Sequence, residues 1–428
     1  MYYERLVWAL PEHPRMLVKF CAGWTFRAFG LCRLLPAAIK YRVARLFSFT
    51  IRTIRDAFDA IPEDQLKKTV LFLSLRPHTR EAKLAEAARF AGWRPLLVHA
   101  EDPRFDADKY FDFHAKVGGL IRMLLANWLF RGAIVHVFAP DGAQAYLLCV
   151  AKIRPLVLDL NDTLKSHHRP YQPLVWEQCE REAIRASNGM THRDLRVKKL
   201  DGIPHYLPKH NLLMMDLVPE VSPRPLTVRR GDEIHVVSVG WIGRNENSIL
   251  RSIKALCDDR IHVHLYINPL QHDTNPEIKA YTAFRNQSPY FHFEQPVFGE
   301  AYWDRLSCYD FGILIWEPFI FGEPTTSVSP ETLKAAGSSR LTDYILSGLG
   351  VIMSPGLTFQ WFIARRYASV VVEADRAFLE SPRKKLEEAL RRKERAKARS
   401  LSPITTRGAA WRLGEFYSRV AREGERLE

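Results

Sequence analysis

From Lys68 onward the sequence alternates short apolar runs with amphipathic ones, stops, and then repeats the pattern. TVLFLSL (69–75), RPLLVHA (94–100), AIVHVFA (133–139) and PLVLDL (155–160) read as strands. Glu81–Ala91, His114–Phe130, Ala143–Ala151 and Leu174–Ser187 read as the helices that follow them. The strand runs are near-continuous in apolar residues rather than apolar at every second position, as in strands covered on both faces. Such alternation predicts a parallel, doubly wound sheet.

The pattern breaks at 216–233, where three prolines and a charged cluster show no period and predict a linker between domains. It then restarts. IHVVSVG (234–240), HVHLYIN (262–268), FHFEQPV (291–297), FGILIWE (311–317), GVIMSP (350–355) and SVVVEA (369–374) are strand-like. Helices are expected at Glu246–Cys257, Pro276–Phe284, Tyr302–Tyr309 and Ser339–Ser347. The 428 residues therefore divide into a basic helical extension (1–60), a first Rossmann-like domain (61–222), a second (223–404) and a C-terminal amphipathic helix (405–428) directed back towards the first. Two such domains leave a cleft between the C-terminal ends of their strands, where open α/β sheets hold ligands.

The net charge of +14 is unevenly placed. Residues 1–60 carry +6 and residues 381–400 another +6, while the body between them is nearly neutral. Basic ends without a recognition motif argue against nucleic acid. Arg, Trp, Phe and Leu cluster across 19–47, which fits an amphipathic region lying on an anionic inner membrane face, and equally a helical hairpin capping the first domain or an oligomer contact. The early apolar run Met16–Ala38 is interrupted by Lys19, Arg27 and Arg33 and is no spanning helix. Six scattered cysteines form no CxxC and no Cys/His zinc spacing, and read as reduced thiols of a cytoplasmic protein.

The stretch from Asp310 to Pro355 points most directly at a ligand. An apolar strand, a polar loop, a helix opening on Ser338-Ser339-Arg340 and a second strand follow one another. The unpaired N–H groups of a helix N-terminus attract phosphate. Asp343, one turn in, is placed to take ribose hydroxyls.

These residues resemble the donor half of GT-B glycosyltransferases, in particular the large retaining family that uses nucleotide sugars. In VSVGWIGRNEN (237–247), Gly240, Gly243 and Arg244 match the family's glycine-rich turn and the basic residue that meet the donor diphosphate. In 291–318, Pro296 and Val297 match the turn beside the base, and Glu317 the acid that ends the next strand. In SSRLTDYILSGLGVIMSP (338–355), Ser338, Ser339 and Arg340 match phosphate-facing positions and Asp343 the ribose-binding acid. The chain departs from the family at Ala335, where a first glutamate is usual, and at Gly350, where a proline is usual. In the first domain the resemblance directs Arg76, His78, Arg80 and His136 towards acceptor and diphosphate, with Asn161 and Asp162 near the reacting sugar.

The resemblance implies transfer from a nucleotide-diphosphate sugar to a glycan or lipid-linked acceptor. It implies no metal and no cofactor beyond the donor, and a place in cell-surface polysaccharide or glycoconjugate synthesis. If the reaction inverts, Asp162 or His78 is the base; if it retains, the leaving phosphate takes the proton. The loss at Ala335 leaves a non-catalytic, sugar-nucleotide-binding scaffold as the rival reading, and an epimerase on the same frame as a third.

Overall fold

The computed structural model describes residues 49–117, 133–138, 155–160, 174–199, 207–219, 233–240, 248–267, 277–298, 300–324, 329–395 and 400–425. The expected helix Ala143–Ala151, the interfacial region 19–47, and Asn161, Asp162, Gly243 and Arg244 lie outside them.

Two wholly parallel sheets carry the fold. The first has seven strands in the order β3-β2-β1-β4-β5-β6-β7. These are β1 (Thr69–Ser74), β2 (Arg94–His99), β3 (Phe113–Lys116), β4 (Ile134–Phe138), β5 (Leu156–Leu160), β6 (Gly189–His192) and β7 (His210–Leu213). The second has six, in the order β10-β9-β8-β11-β12-β13. They are β8 (His235–Gly240), β9 (His262–Ile267), β10 (Phe291–Glu294), β11 (Phe311–Leu314), β12 (Gly350–Met353) and β13 (Val371–Glu373). Every residue of β1, β4, β5, β11 and β12 is buried, which is why these segments are mostly apolar, and why His136 of β4 and Asp159 of β5 need buried partners. In each sheet the order reverses beside the first strand, between β1 and β4 and between β8 and β11. Crevices open at the carboxyl ends of strands at such points.

Each sheet has a separate core on either face. One face of the first sheet is completed by the far end of the chain. The helix Thr406–Glu425 sets Ala409, Leu413, Phe416, Tyr417 and Val420 into the same cluster as Val70, Phe72 and Leu84. These positions share one helical face, and each large side chain buried there stabilises by roughly 1.5–3 kcal/mol. The chain thus crosses between domains twice, and the crossings pair: Val218 N donates to Ile404 O and Thr406 N to Val218 O, both at 2.9 Å.

Several local expectations are corrected. His114 belongs to strand β3, paired with Leu97 of β2, and not to a helix. Phe113, Ala115 and Val117 all meet the core, so the period there is two. β6 and β7 carry the sequences GMTH and HNLL, too short and polar to read as strands. The strand expected to end at Glu317 stops at Leu314, and Glu317 instead opens the short helix Glu317–Phe321. Its buried carboxylate accepts from Ser252 N and Oγ through Oε1 and from Arg251 Nε at 2.8 Å through Oε2. Glu317 therefore ties helix Leu250–Asp258 to the loop and leaves little for a ligand.

Candidate active site

On the first domain's side the cleft begins after β1. Arg76 and His78 are exposed on this loop, and Arg76 Nε reaches Glu101 Oε1 at 2.7 Å. Desolvation, reinforced by the charges of Arg104 and Arg76, lowers the His78 pKa and favours its neutral form. Glu81 caps the same turn. It accepts from Ser74 Oγ at 2.9 Å and from His78 N at 3.1 Å, and burial raises its carboxyl to a pKa of about 7.

Arg80 and His136 do not face the cleft as expected. Arg80 turns inward, donating from Nε and Nη2 to Asp159 at 2.9 and 2.8 Å, from Nη1 to Asp216 at 3.1 Å, and from Nη2 to Met214 O at 3.0 Å. Burial alone would raise the Asp159 carboxyl, but the charge and hydrogen bonds of Arg80 outweigh it and hold Asp159 below the usual range. His136 is fully buried. Thr191 Oγ1 donates to Asp159 at 2.6 Å, so it accepts from His136 Nε2 at 3.1 Å; His136 Nδ1 then accepts from Tyr417 OH at 2.7 Å. Burial pushes the His136 pKa down to about 3, which keeps the ring neutral. Both residues stitch the sheet to the linker and the C-terminal helix.

The second domain's side is built around the end of β8. Gly240 has φ +93°, a conformation that side chains strain to adopt, and Arg340 Cδ packs 3.7 Å from where its Cβ would stand. Arg340 is half-buried, and its Nη1 reaches only the Val239 carbonyl, at 3.4 Å. Among the described residues no carboxylate lies within ion-pair distance of it. Ser338 is the N-cap of helix Ser339–Leu346 but places no side-chain hydrogen bond on its first turn. Gly240, Ser338, Ser339 and Arg340 thus meet at the reversal between β8 and β11. Pro296 and Val297 follow β10 as half-buried turn residues, Val297 packing on the core beneath.

Asp343 is different. Its Oδ1 takes Lys83 Nζ of the first domain at 3.2 Å, and its Oδ2 takes Tyr302 OH at 3.1 Å. Burial raises its pKa and Lys83 only partly offsets this. The pair spans the cleft, with Lys83 also 5.9 Å from the Trp303 ring. Lys83 and Tyr302 are functional candidates that sequence reasoning missed, because nothing in a linear pattern joins residues so far apart. A second bridge lies nearby. Gly337 N donates to Asp194 Oδ2 at 2.9 Å, and Leu195 N to Ala335 O at 3.2 Å. Ala335, standing where the family's first glutamate is usual, is buried in this interdomain contact. A cavity of about 610 Å³ beyond β12, lined by Gly356, Trp361 and Arg365 among others, touches none of these groups.

No protein-family model and no curated protein sequence matches this chain. Solved structures do. Sucrose-phosphate synthase from Thermosynechococcus elongatus superposes with a TM-score of 0.53 at 12% identity, over 84% of this chain and 98% of that one. HepE of Anabaena, solved with UDP-glucose, gives 0.52 at 11%, over 84% and 98%. A glycosyltransferase from Rickettsia africae gives 0.52 at 11%, over 84% and 97%. At such identities the likeness concerns the fold: the chain has the two-domain GT-B architecture of glycosyltransferases.

Proposed function

We propose that the chain is a glycosyltransferase that moves a sugar from a nucleotide-diphosphate sugar to a glycan or lipid-linked acceptor. The observation that supports this most is the meeting of Arg340, the uncapped start of its helix and the Gly240 turn at the reversal of the second sheet. Backbone N–H groups of a helix start and a guanidinium beside it are the donors that a diphosphate takes. That charge, with Arg244, would stabilise the leaving diphosphate without a metal. Asp343 would bind the ribose by exchanging Lys83 and Tyr302 for its hydroxyls, and the released Lys83 would face the phosphates. Pro296 and Val297 would flank the base.

The acceptor would approach from Arg76 and His78, with Asn161 and Asp162 beside the reacting sugar. In an inverting reaction His78 or Asp162 would take the acceptor proton; the lowered pKa of His78 suits that role at neutral pH. A lipid-linked acceptor would fit a peripheral place on the inner membrane face and a role in polysaccharide synthesis. Among the described residues no helix is long and apolar enough to cross a membrane.

Calorimetric titration and thermal shift with UDP, GDP and their common sugars test the reading. At least one nucleotide is expected to bind, and Arg340→Ala and Asp343→Asn each to weaken it tenfold or more. Absence of any nucleotide binding, or equal binding by both variants, overturns it.

A further inference from the structure

We propose that the cavity beyond β12 is a second binding site and that its ligand is a saccharide chain. The choice of a saccharide rests on the reading of the chain as a glycosyltransferase; the cavity itself does not. It is walled by helix Thr358–Tyr367, by Pro355 and Gly356, which follow β12, and by Glu373, the last residue of β13. It therefore lies on the same carboxyl-end rim of the second sheet as Gly240. β11 and β12 stand between β8 and β13, which sets the two sites apart by roughly 14 Å at the usual strand spacing.

A volume of about 610 Å³ is that of a small-molecule site, and such sites combine an apolar wall with a few placed polar groups. The helix supplies the wall. Thr358, Trp361, Phe362 and Arg365 recur at the spacing of one helical face, while Phe359, Ile363 and Ala364 fill the core. Phe362 is 63% exposed, so its ring is open to a ligand. Trp361 is fixed in place: its Nε1 donates to Ser354 O at 2.9 Å, and the Arg365 guanidinium lies 4.9 Å from its ring centre. The indole is thus oriented before a ligand arrives, which lowers the cost of binding.

The polar groups are a donor and an acceptor left unmatched. Among the described residues Arg366 makes no ion pair or side-chain hydrogen bond and meets only the Tyr367 ring, at 5.8 Å. Glu373 is exposed and likewise makes neither. Two opposite charges thus line one cavity without neutralising each other. A lipid chain would leave both of them without a partner. A phosphate would satisfy Arg366 but meet the like charge of Glu373. A sugar ring offers an apolar C–H face to an aromatic side chain and a rim of hydroxyls, each able to accept from Arg366 and to donate to Glu373. Thr358 Oγ1, whose contact with Gly356 O is a long 3.4 Å, adds a further hydroxyl to that rim. A chain of such rings would run along the end of the sheet towards the cleft. The site would then hold a glycan acceptor while its end is extended.

The test is titration of full-length protein with maltohexaose, chitohexaose and a hexameric oligogalacturonate, followed by calorimetry and tryptophan fluorescence. At least one is expected to bind at one equivalent per chain. Phe362→Ala and Glu373→Gln are each expected to weaken that binding at least tenfold and to leave the response to UDP and GDP unchanged. Both residues are exposed, so the variants keep the fold. Saccharide binding that depends on these residues, with no nucleotide bound, supports the site and rejects the transferase reading. Nucleotide binding with none of the three saccharides bound overturns the site and leaves that reading standing. The inference is also overturned if both variants bind saccharide as wild type does. It falls too if no saccharide binds and Phe362→Ala instead abolishes sedimentation with phosphatidylglycerol vesicles, which would make the surface a membrane contact.

Discussion

Arg80 and Arg340 hold the same local position, each the second residue of a helix that begins at the cleft, yet they do opposite things. Arg80 is 6% exposed and wholly engaged by Asp159 and Asp216. Arg340 stays half-buried with one long contact to a carbonyl. The difference does not come from the arginines or their helices. It comes from Asp159, buried near the end of β5 beneath the first, and from the linker's Asp216; among the described residues no such pair stands beneath the second. A cation at a helix start becomes structural when the sheet already supplies its counter-charge, and remains available to a ligand when it does not.

The contrast is broken most severely at Arg80. Arg80→Met leaves the buried Asp159 without its cation and Asp216 with only Arg193, 3.8 Å away, and is expected to cost about 3–5 kcal/mol in chemical denaturation. Near-native stability with loss of nucleotide binding would instead place Arg80 in the site. Glu81, one residue on, gives a smaller and pH-dependent effect. Its folded pKa of about 7 lies above the ordinary 4.5, so its protonated form favours the fold. That contribution is complete below pH 4.5 and is lost as pH rises through 7, up to roughly 3 kcal/mol. Denaturation of wild type and Glu81→Gln at pH 5 and pH 8 should show a flatter dependence in the variant; equal slopes would show that Glu81 is not the group responsible. Arg340→Ala should change stability least, by about 0.5 kcal/mol or less, because no buried partner is stranded. A loss as large as that of Arg80 would erase the distinction between the two.

The alternation of apolar runs made most strands of both sheets legible, because strands covered on both faces carry few polar residues. β6 and β7 were not, since GMTH and HNLL are short and polar and owe their strand state to neighbours already in place. The turn at Gly240 and the helix start at Ser338, Ser339 and Arg340 were legible because both are local features. The inward turn of Arg80, the burial of His136 and the engagement of Asp343 by Lys83 were not, because each depends on partners distant in the chain.

The C-terminal helix carries a consequence for biosynthesis. Phe416, Tyr417 and Val420 are interior residues of the domain that begins near Thr69. A domain normally folds soon after its own residues leave the ribosome. Here Val70, Phe72 and Leu84 would lack the part of their cover that Phe416, Tyr417 and Val420 supply until the whole second domain has been made. The second domain, whose described strands and core lie in one continuous stretch, can fold before it. The order of folding would then run opposite to the order of synthesis, and the nascent first domain would be the part in greatest need of a chaperone.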